Sequence, residues 1–450
     1  MDNQVLIDGA KTKQAGGREI GPDGGDTRPT KVRWKLAFLM FFLSFMVYMD
    51  RVNLSVATPA IMKEFHFTKM HMGYVQTAFF LGYALMQVPG GIFTELFGHR
   101  KVVPAAVTLW SAFTLLTAYC SNFVWFVIVR FLFGVGEGPI YPAFNNFAVQ
   151  WFNRSERAKA NAFLLGGTFF GPVVGPAATV SIMLAFGWRS VFVVFGLVGI
   201  VAAMSWYWFA SDSPRTSSRI NAAELKHIQG PERVDDKKEV APWSSFIGST
   251  QFWAIAIQYF IADYIMYVFL AWLPLYLMEV NHFSLQKMGF AAALPWLAIC
   301  TMVFVTGFIS DRLVARGVSN YKARTYFGIL GLVLCCGALY LAAVAKNPAW
   351  NVLWMTVSLG SLGFTFNASW TACNDLGGKF SASVSGWMNL FGNAGGVLAP
   401  TLTAWLATQY GWKAAIMVTA ATTLIGVVAW FAVKPDVPLR LRRPADSVSV

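Results

Sequence analysis

Residues 41–62 read FFLSFMVYMDRVNLSVATPAIM, an apolar run with two adjacent opposite charges, Asp50 and Arg51, near its middle. A run of this length matches the ~20 residues that an α-helix needs to cross the ~30 Å hydrocarbon layer of a bilayer. An ionisable group at that depth is costly, and by default it marks a functional pathway. Two of opposite sign, side by side, point to a cation that binds an anion beside an acid that can carry a proton.

The rest of the chain has the same character. Of its 450 residues 56% are hydrophobic and only 13% charged, about half the ~25% charged content of a soluble domain. The net charge of +13 is spread over stretches between apolar runs. The excess of Lys and Arg in cytoplasmic loops explains it better than a nucleic-acid-binding domain does. The five cysteines, Cys120, Cys300, Cys335, Cys336 and Cys373, lie in or at the ends of apolar segments with no CxxC or Cys/His cluster. That pattern indicates no metal site, no cofactor and no disulfide framework.

Spanning helices are expected at 34–57, 72–94, 102–120, 123–146, 161–184, 189–210, 251–276, 286–310, 325–345, 351–374, 383–407 and 413–433. The expected fold is an all-α membrane protein with twelve transmembrane helices in two six-helix bundles. The first bundle takes 31–210 and the second 251–434. Residues 211–250 read as a cytoplasmic inter-bundle loop, and 1–30 and 435–450 as cytoplasmic tails, the first disordered. Arg100, Lys101, Arg154, Arg157, Lys159, Arg312, Arg316, Lys322, Arg324 and Lys379 fall in one set of loops. The alternate set holds Lys63, Lys69, Lys287 and Lys346, which puts both termini in the cytoplasm.

The two halves repeat. Phe186-Gly187-Trp188-Arg189 precedes the sixth segment and Tyr410-Gly411-Trp412-Lys413 the twelfth, while Gly171 and Pro176 recur at the same offset as Gly395 and Pro400. Gly91…Gly98-His99-Arg100-Lys101 has its counterpart in Gly307…Asp311-Arg312…Arg316-Gly317. Three matches in register argue for duplication, and parallel six-helix repeats with a central site describe the major facilitator architecture.

The fourth segment adds Arg130 and Glu137. Seven residues return to nearly the same helix face two turns on, about 10 Å along the axis, so the two meet directly only if both extend. Asp50 and Arg51 of the first helix are the alternative partners, and two acids with two bases form a near-neutral cluster. Such a cluster could simply lock helices together. Read functionally, Arg51 suits a carboxylate, because a guanidinium fork matches it bidentately. Asp50 and Glu137 are then the proton-carrier candidates. Gln76, Tyr83 and Gln87 share a face of the second helix, and Asn389 and Asn393 a face of the eleventh. Tyr83 and Asn389 are expected substrate contacts, with Tyr48, Gln87, Asn393 and Trp370 as further pocket candidates. Asp263, in the seventh segment with no base nearby in sequence, reads as a second proton site or gating contact. Asp375, near Lys379, reads as an interfacial ion pair.

These residues resemble the anion:cation symporters of the major facilitator superfamily over nearly the whole chain outside the tails. The resemblance rests on Tyr48-Met49-Asp50-Arg51-Val52-Asn53-Leu54, Gln87-Val88-Pro89-Gly90-Gly91 and Arg130…Gly134…Glu137…Pro142. Trp151-Phe152…Glu156-Arg157 and Gly386…Asn389…Gly392-Asn393…Gly395-Gly396 continue it. It implies proton-coupled uptake of organic anions, with Arg51 binding a substrate carboxylate. It implies that Asp50 and Glu137 take part in proton coupling, with Arg130 as the charge partner of Glu137. Glu95-Leu96 departs from the Asp-plus-base loop signature. Thr168 stands where sugar-acid permeases resembling this chain often carry glutamine, and the vesicular glutamate carriers have a basic residue near the Asp263 position.

The expected function is import of a small organic anion (sugar acid, dicarboxylate or aromatic carboxylate) by proton symport through a bacterial-type inner membrane, as a monomer. A proton-antiport exporter of a drug or metabolite and a transport-inactive membrane sensor are the rivals. An intramembrane enzyme is disfavoured, since no HExxH, GxSxG or acid pair on one helix is present.

Overall fold

The computed structural model describes residues 28–153, 156–229 and 243–439. Residues 1–27 of the expected N-terminal tail, Arg154, most of the inter-bundle loop's second half and 440–450 lie outside the described residues.

The chain forms twelve long helices. The first six are α1 (Val32–Phe65), α2 (Lys69–Phe97), α3 (His99–Thr117), α4 (Phe123–Trp151), α5 (Arg157–Phe186) and α6 (Trp188–Phe209). The second six are α7 (Thr250–Glu279), α8 (Leu285–Ala315), α9 (Tyr321–Val344), α10 (Pro348–Gly377), α11 (381–410) and α12 (412–432). Eight helical stretches, counting α11 and α12 as one, are long and apolar enough to cross a membrane. Their outward faces carry large apolar side chains such as Phe290, Phe308 and Val428, each about two-thirds exposed or more.

The expected repeat appears in the backbone. Gly187 has φ 83° and ψ 168°, and Gly411 has φ 80° and ψ 167°, a region that residues bearing a Cβ rarely adopt. The two FGWR and YGWK corners therefore turn the chain identically into α6 and α12. Helix α1 runs eight residues past its expected end at 57. The polar residues Lys63 and Glu64 fit a helix that leaves the apolar layer, and Glu64 pairs with Arg189 at 2.6 Å. Helix α4 is interrupted at Gly138-Pro139, and Glu137 is the last residue of its first segment. Pro139 has no N–H to continue the ladder.

Within each half, helices pair closely through small residues. A Cβ on Gly134 would collide with the Phe79 carbonyl and come within 2.8 Å of the Tyr83 nitrogen; one on Gly82 would strike the Phe131 carbonyl. Reciprocal glycines thus weld α2 to α4 backbone against backbone. Gly167 does the same for α5 against α1 at Phe41, and Gly395 for α11 against α7 at Phe260.

The two halves meet along α2–α11, α5–α8 and α1–α7. Their cross-bundle hydrogen bonds run from the centre to the end away from the termini, here called the distal end. Thr77 Oγ1 lies 2.8 Å from Thr401 Oγ1, and Gln76 reaches the Ala271 carbonyl at 3.5 Å. At the rim Lys69 Nζ meets Glu279 at 2.9 Å, and Trp412 Nε1 donates to the same carboxylate at 2.6 Å.

On the terminus side a short helix, Ala222–Gln229, docks against the first half. Buried Arg33 bridges Glu156 (3.0 Å) and Glu224 (3.1 Å), and Glu224 also accepts from the Val32 and Arg33 backbone N–H groups and from Thr30. In the second half Arg324 joins Asp311 at 3.1 Å and Asp375 at 3.6 Å. Arg324 is thus an ion-pair partner of Asp375, while the side chain of Lys379, the partner expected from sequence, lies outside the described residues.

Candidate functional site

The charged residues of α1 and α4 meet in the middle of the first half. Arg51 Nε donates to Glu137 Oε1 at 2.7 Å, and a second guanidinium nitrogen donates to the same oxygen. Both side chains are almost fully buried. The guanidinium faces the rings of Tyr48 at 4.6 Å, Tyr83 at 4.7 Å and Phe79 at 5.1 Å, positions that suit cation–π attraction. The weld at Gly82 and Gly134 makes this possible, because it sets Phe79 and Tyr83 of α2 at the height of Glu137.

Arg130 takes a different place from the one the family resemblance implies. Its guanidinium lies 4.3 Å from the Phe133 ring and 5.3 Å from Phe79, and no carboxylate stands within 4 Å of it among the described residues. The reason is the two-turn separation: Arg51, arriving from another helix, reaches Glu137 more directly than a residue on α4 can. Arg130 still lies in the field of both Asp50 and Glu137. Asp50 accepts from Asn53 Nδ2 at 3.2 Å through Oδ1 and stands near Trp110, while among the described residues its Oδ2 and Glu137 Oε2 have no partner at hydrogen-bond geometry.

The other candidates lie along the seam between the halves. Tyr83 stands beside Arg51 and Gln87, and Gln87 Oε1 accepts across the seam from Asn393 Nδ2 at 3.3 Å. Asn393 also donates to the backbone carbonyl of Asn389 at 2.9 Å, and the Asn389 side chain is partly exposed. Trp370 is 39% exposed, with Nε1 donating to the Tyr259 hydroxyl at 3.2 Å. Asp263 is buried on α7 against Gly392 of α11. A small void bounded by Arg51, Gln76, Phe79, Arg130 and Leu270 adjoins the guanidinium.

Three tyrosines at the centre were not singled out from sequence. Tyr259 and Tyr267 flank Asp263 at four-residue spacing on α7, the signature of one helix face, and Tyr141 hydrogen-bonds Thr168 at 2.9 Å. The spacing around Asp263 was a readable signal. Tyr141 follows the break in α4, so helical periodicity could not place it.

The arrangement offers a guanidinium cradled by aromatic rings and bonded to Glu137, a second buried acid, Asp50, in the field of Glu137 and Arg130, and amides from both halves. It can hold a carboxylate and exchange protons.

The Major Facilitator Superfamily profile matches residues 40–400. The chain is 31% identical over 400 residues to the chloroplastic ascorbate transporter of Arabidopsis thaliana, covering 88% of this chain and 74% of that one. It is 30% identical to the probable galactarate/D-glucarate transporter of Bacillus subtilis, with 90% and 92% covered. A solved bacterial homologue of the human lysosomal transporter Spinster, inward-facing and unoccupied, matches with TM-score 0.78 at 16% identity over 90% of this chain and 97% of that one. The chain therefore belongs to the Major Facilitator Superfamily, and its relatives named as anion and sugar-acid transporters place it with the anion:cation symporters.

Proposed function

We propose that the protein imports a small organic anion together with protons, by alternating access between its two six-helix halves. The observation that carries this is the buried Arg51–Glu137 pair beneath Tyr48 and Tyr83. Glu137 holds the guanidinium as a substrate carboxylate would, so the two compete for it. Asp50, Arg51, Arg130 and Glu137, the ionisable groups that the first half brings to the centre, sum to zero when all are ionised; Asp263 of the second half stands outside this sum. An entering monoanion leaves one uncompensated negative charge in a desolvated centre, which is strongly unfavourable. One proton taken up by Glu137 or Asp50 restores neutrality and, on Glu137, frees Arg51 for the anion.

The distal polar contacts support a resting state closed at that end, with the centre approached from the terminus side. In this reading the termini are cytoplasmic, the membrane is a bacterial-type inner membrane, and one chain suffices. Substrate classes on this reading are sugar acids, dicarboxylates and aromatic carboxylates. Names of relatives support the first, and the aromatic setting of Arg51 suits the last.

Uptake of labelled anions from these classes into proteoliposomes, with and without an imposed pH gradient, tests the reading. Gradient-stimulated uptake that Arg51→Ala abolishes is expected. Transport indifferent to the gradient removes proton coupling, and transport that survives Arg51→Ala favours the exporter.

A further inference from the structure

Asp263 is the ionisable group at the centre that the scheme above does not use. It is 3% exposed, and no hydrogen bond or ion pair reaches its carboxylate among the described residues. Arg51, the basic group whose field acts on it, is already bonded to Glu137. A buried carboxylate without a partner costs several kcal/mol, and in a bilayer such groups face the substrate or ion path.

The surroundings are shaped around it. Gly392 on α11 lies directly against the Asp263 carboxylate, and a methyl group there would overlap it and stand 2.7 Å from Tyr259 Cε1. Tyr259 is fixed by Trp370, and Tyr267 packs at 4.5 Å against Phe80 of the opposite half. The open lone pairs of Asp263 therefore belong to the second half, while the anion-binding guanidinium belongs to the first. What satisfies a lone carboxylate is an N–H or O–H donor.

Resting on the anion-transport reading above, we infer that Asp263 accepts a hydrogen bond from a hydroxyl or ammonium group of the substrate, so that the transported anion is bifunctional and spans the seam. Its carboxylate engages Arg51 in one half and its donor engages Asp263 in the other. Only a ligand touching both halves favours the state in which they close on it, since a ligand shifts a conformational equilibrium only through its differential contacts. An anion without the donor binds the first half and does not drive closure. Asp263 is thus a specificity-determining residue and is not needed to balance charge.

The test uses three matched triplets of different size: propionate, lactate and alanine; phenylacetate, mandelate and phenylglycine; hexanoate, gluconate and 6-aminohexanoate. Purified protein is screened with all nine by thermal shift, and those that bind are followed by counterflow in proteoliposomes. In at least one triplet the hydroxyl or ammonium member is expected to exchange, while the plain acid only inhibits. The hydroxyl and ammonium arms identify which donor is used. Asp263→Asn should shrink the preference for the donor-bearing member by tenfold or more and leave pH-gradient stimulation of the remaining uptake in place. Gly392→Ala, which keeps the carboxylate but crowds it, should reduce the same preference if Asp263→Asn does not fold. A preference unchanged in both variants, or loss of gradient stimulation with the preference intact in Asp263→Asn, overturns the inference. Plain acids exchanging as well as their partners through Arg51 overturns it while leaving anion transport standing. No binding by any of the nine removes both.

Discussion

Replacing Glu137 by Gln keeps the shape of the side chain and a neutral acceptor while removing the charge that occupies Arg51. At an effective dielectric constant of ~20, two unit charges ~4 Å apart attract by about 4 kcal/mol. A neutral hydrogen bond retained by the amide is worth about 1 kcal/mol. The competitor facing an incoming carboxylate is thereby weakened by about 3 kcal/mol, and each 1.4 kcal/mol is a factor of ten in affinity. Glu137→Gln should therefore bind anionic substrate up to roughly a hundredfold more tightly than the native protein. In the absence of anion it should unfold more easily, because breaking a buried ion pair leaves Arg51 uncompensated at a cost of about 3–5 kcal/mol. Saturating anion should recover much of that loss; a ligand at a hundred times its Kd stabilises by about 2.7 kcal/mol. Thermal unfolding in detergent across an anion titration reads both effects, and proteoliposomes read a third. Counterflow persists, but a pH gradient no longer drives accumulation, because the four-residue cluster is now +1 when empty and neutral with a monoanion bound, so no proton is needed to balance the charge. An affinity that does not tighten would refute the competition between Glu137 and substrate, and accumulation that still follows the gradient would refute the charge balance.

Four other outcomes follow, three from contacts described above and one from a glycine without such a contact. Lys69→Ala or Glu279→Gln removes the rim pair that ties α2 to α7; partly exposed pairs of this kind contribute ~0.2–1 kcal/mol, so a cysteine placed at Thr401 should label up to about fivefold faster from the distal side. Gly134→Ala drives a methyl into the α2 backbone and should cost about 1–3 kcal/mol or more together with anion binding. Gly337→Ala, where a Cβ meets nothing within 4 Å, should leave both unchanged in the same melting assay. Burial pushes the Glu224 carboxyl up, but hydrogen bonds from Thr30, Arg33 and Val32 outweigh that and hold it below the usual carboxylate range. Its stabilisation is therefore present above the unfolded carboxyl pKa of about 4.5 and is lost as pH falls through the depressed value. Melting curves between about pH 6 and 3 should show Glu224→Gln below the native protein at the upper end and converging with it at the lower.

The apolar runs, the FGWR and YGWK corners and the charges of α1 and α4 made the fold and the central cluster readable, because bilayer length and cost of burial act on sequence directly. The choice of partner for Glu137 was only half readable. Helical geometry excluded easy contact with Arg130, but nothing in the sequence fixes the relative height of α1 and α4. That height is set by glycine contacts between helices far apart in the chain. The Asp375–Arg324 pair escaped for the same reason, since Arg324 lies on α9, about fifty residues before Asp375 in the chain. Tyr141 was hidden by the Gly138-Pro139 break, which resets the helical phase.

The placement of the glycines has an evolutionary reading. Where Gly82 and Gly134 press main chain against main chain, almost any replacement is felt at once in folding. Across the seam the halves touch largely through side chains, among them Thr77 with Thr401 and Gln87 with Asn393, with Gly73 of α2 a point where main chain comes close to main chain at Pro400. Mutations there are judged mainly by what the protein carries and hardly by whether each half assembles. A lineage can thus acquire new cargo by editing one surface of two tightly packed blocks, and its history of substrate change should be written along α2, α7 and α11.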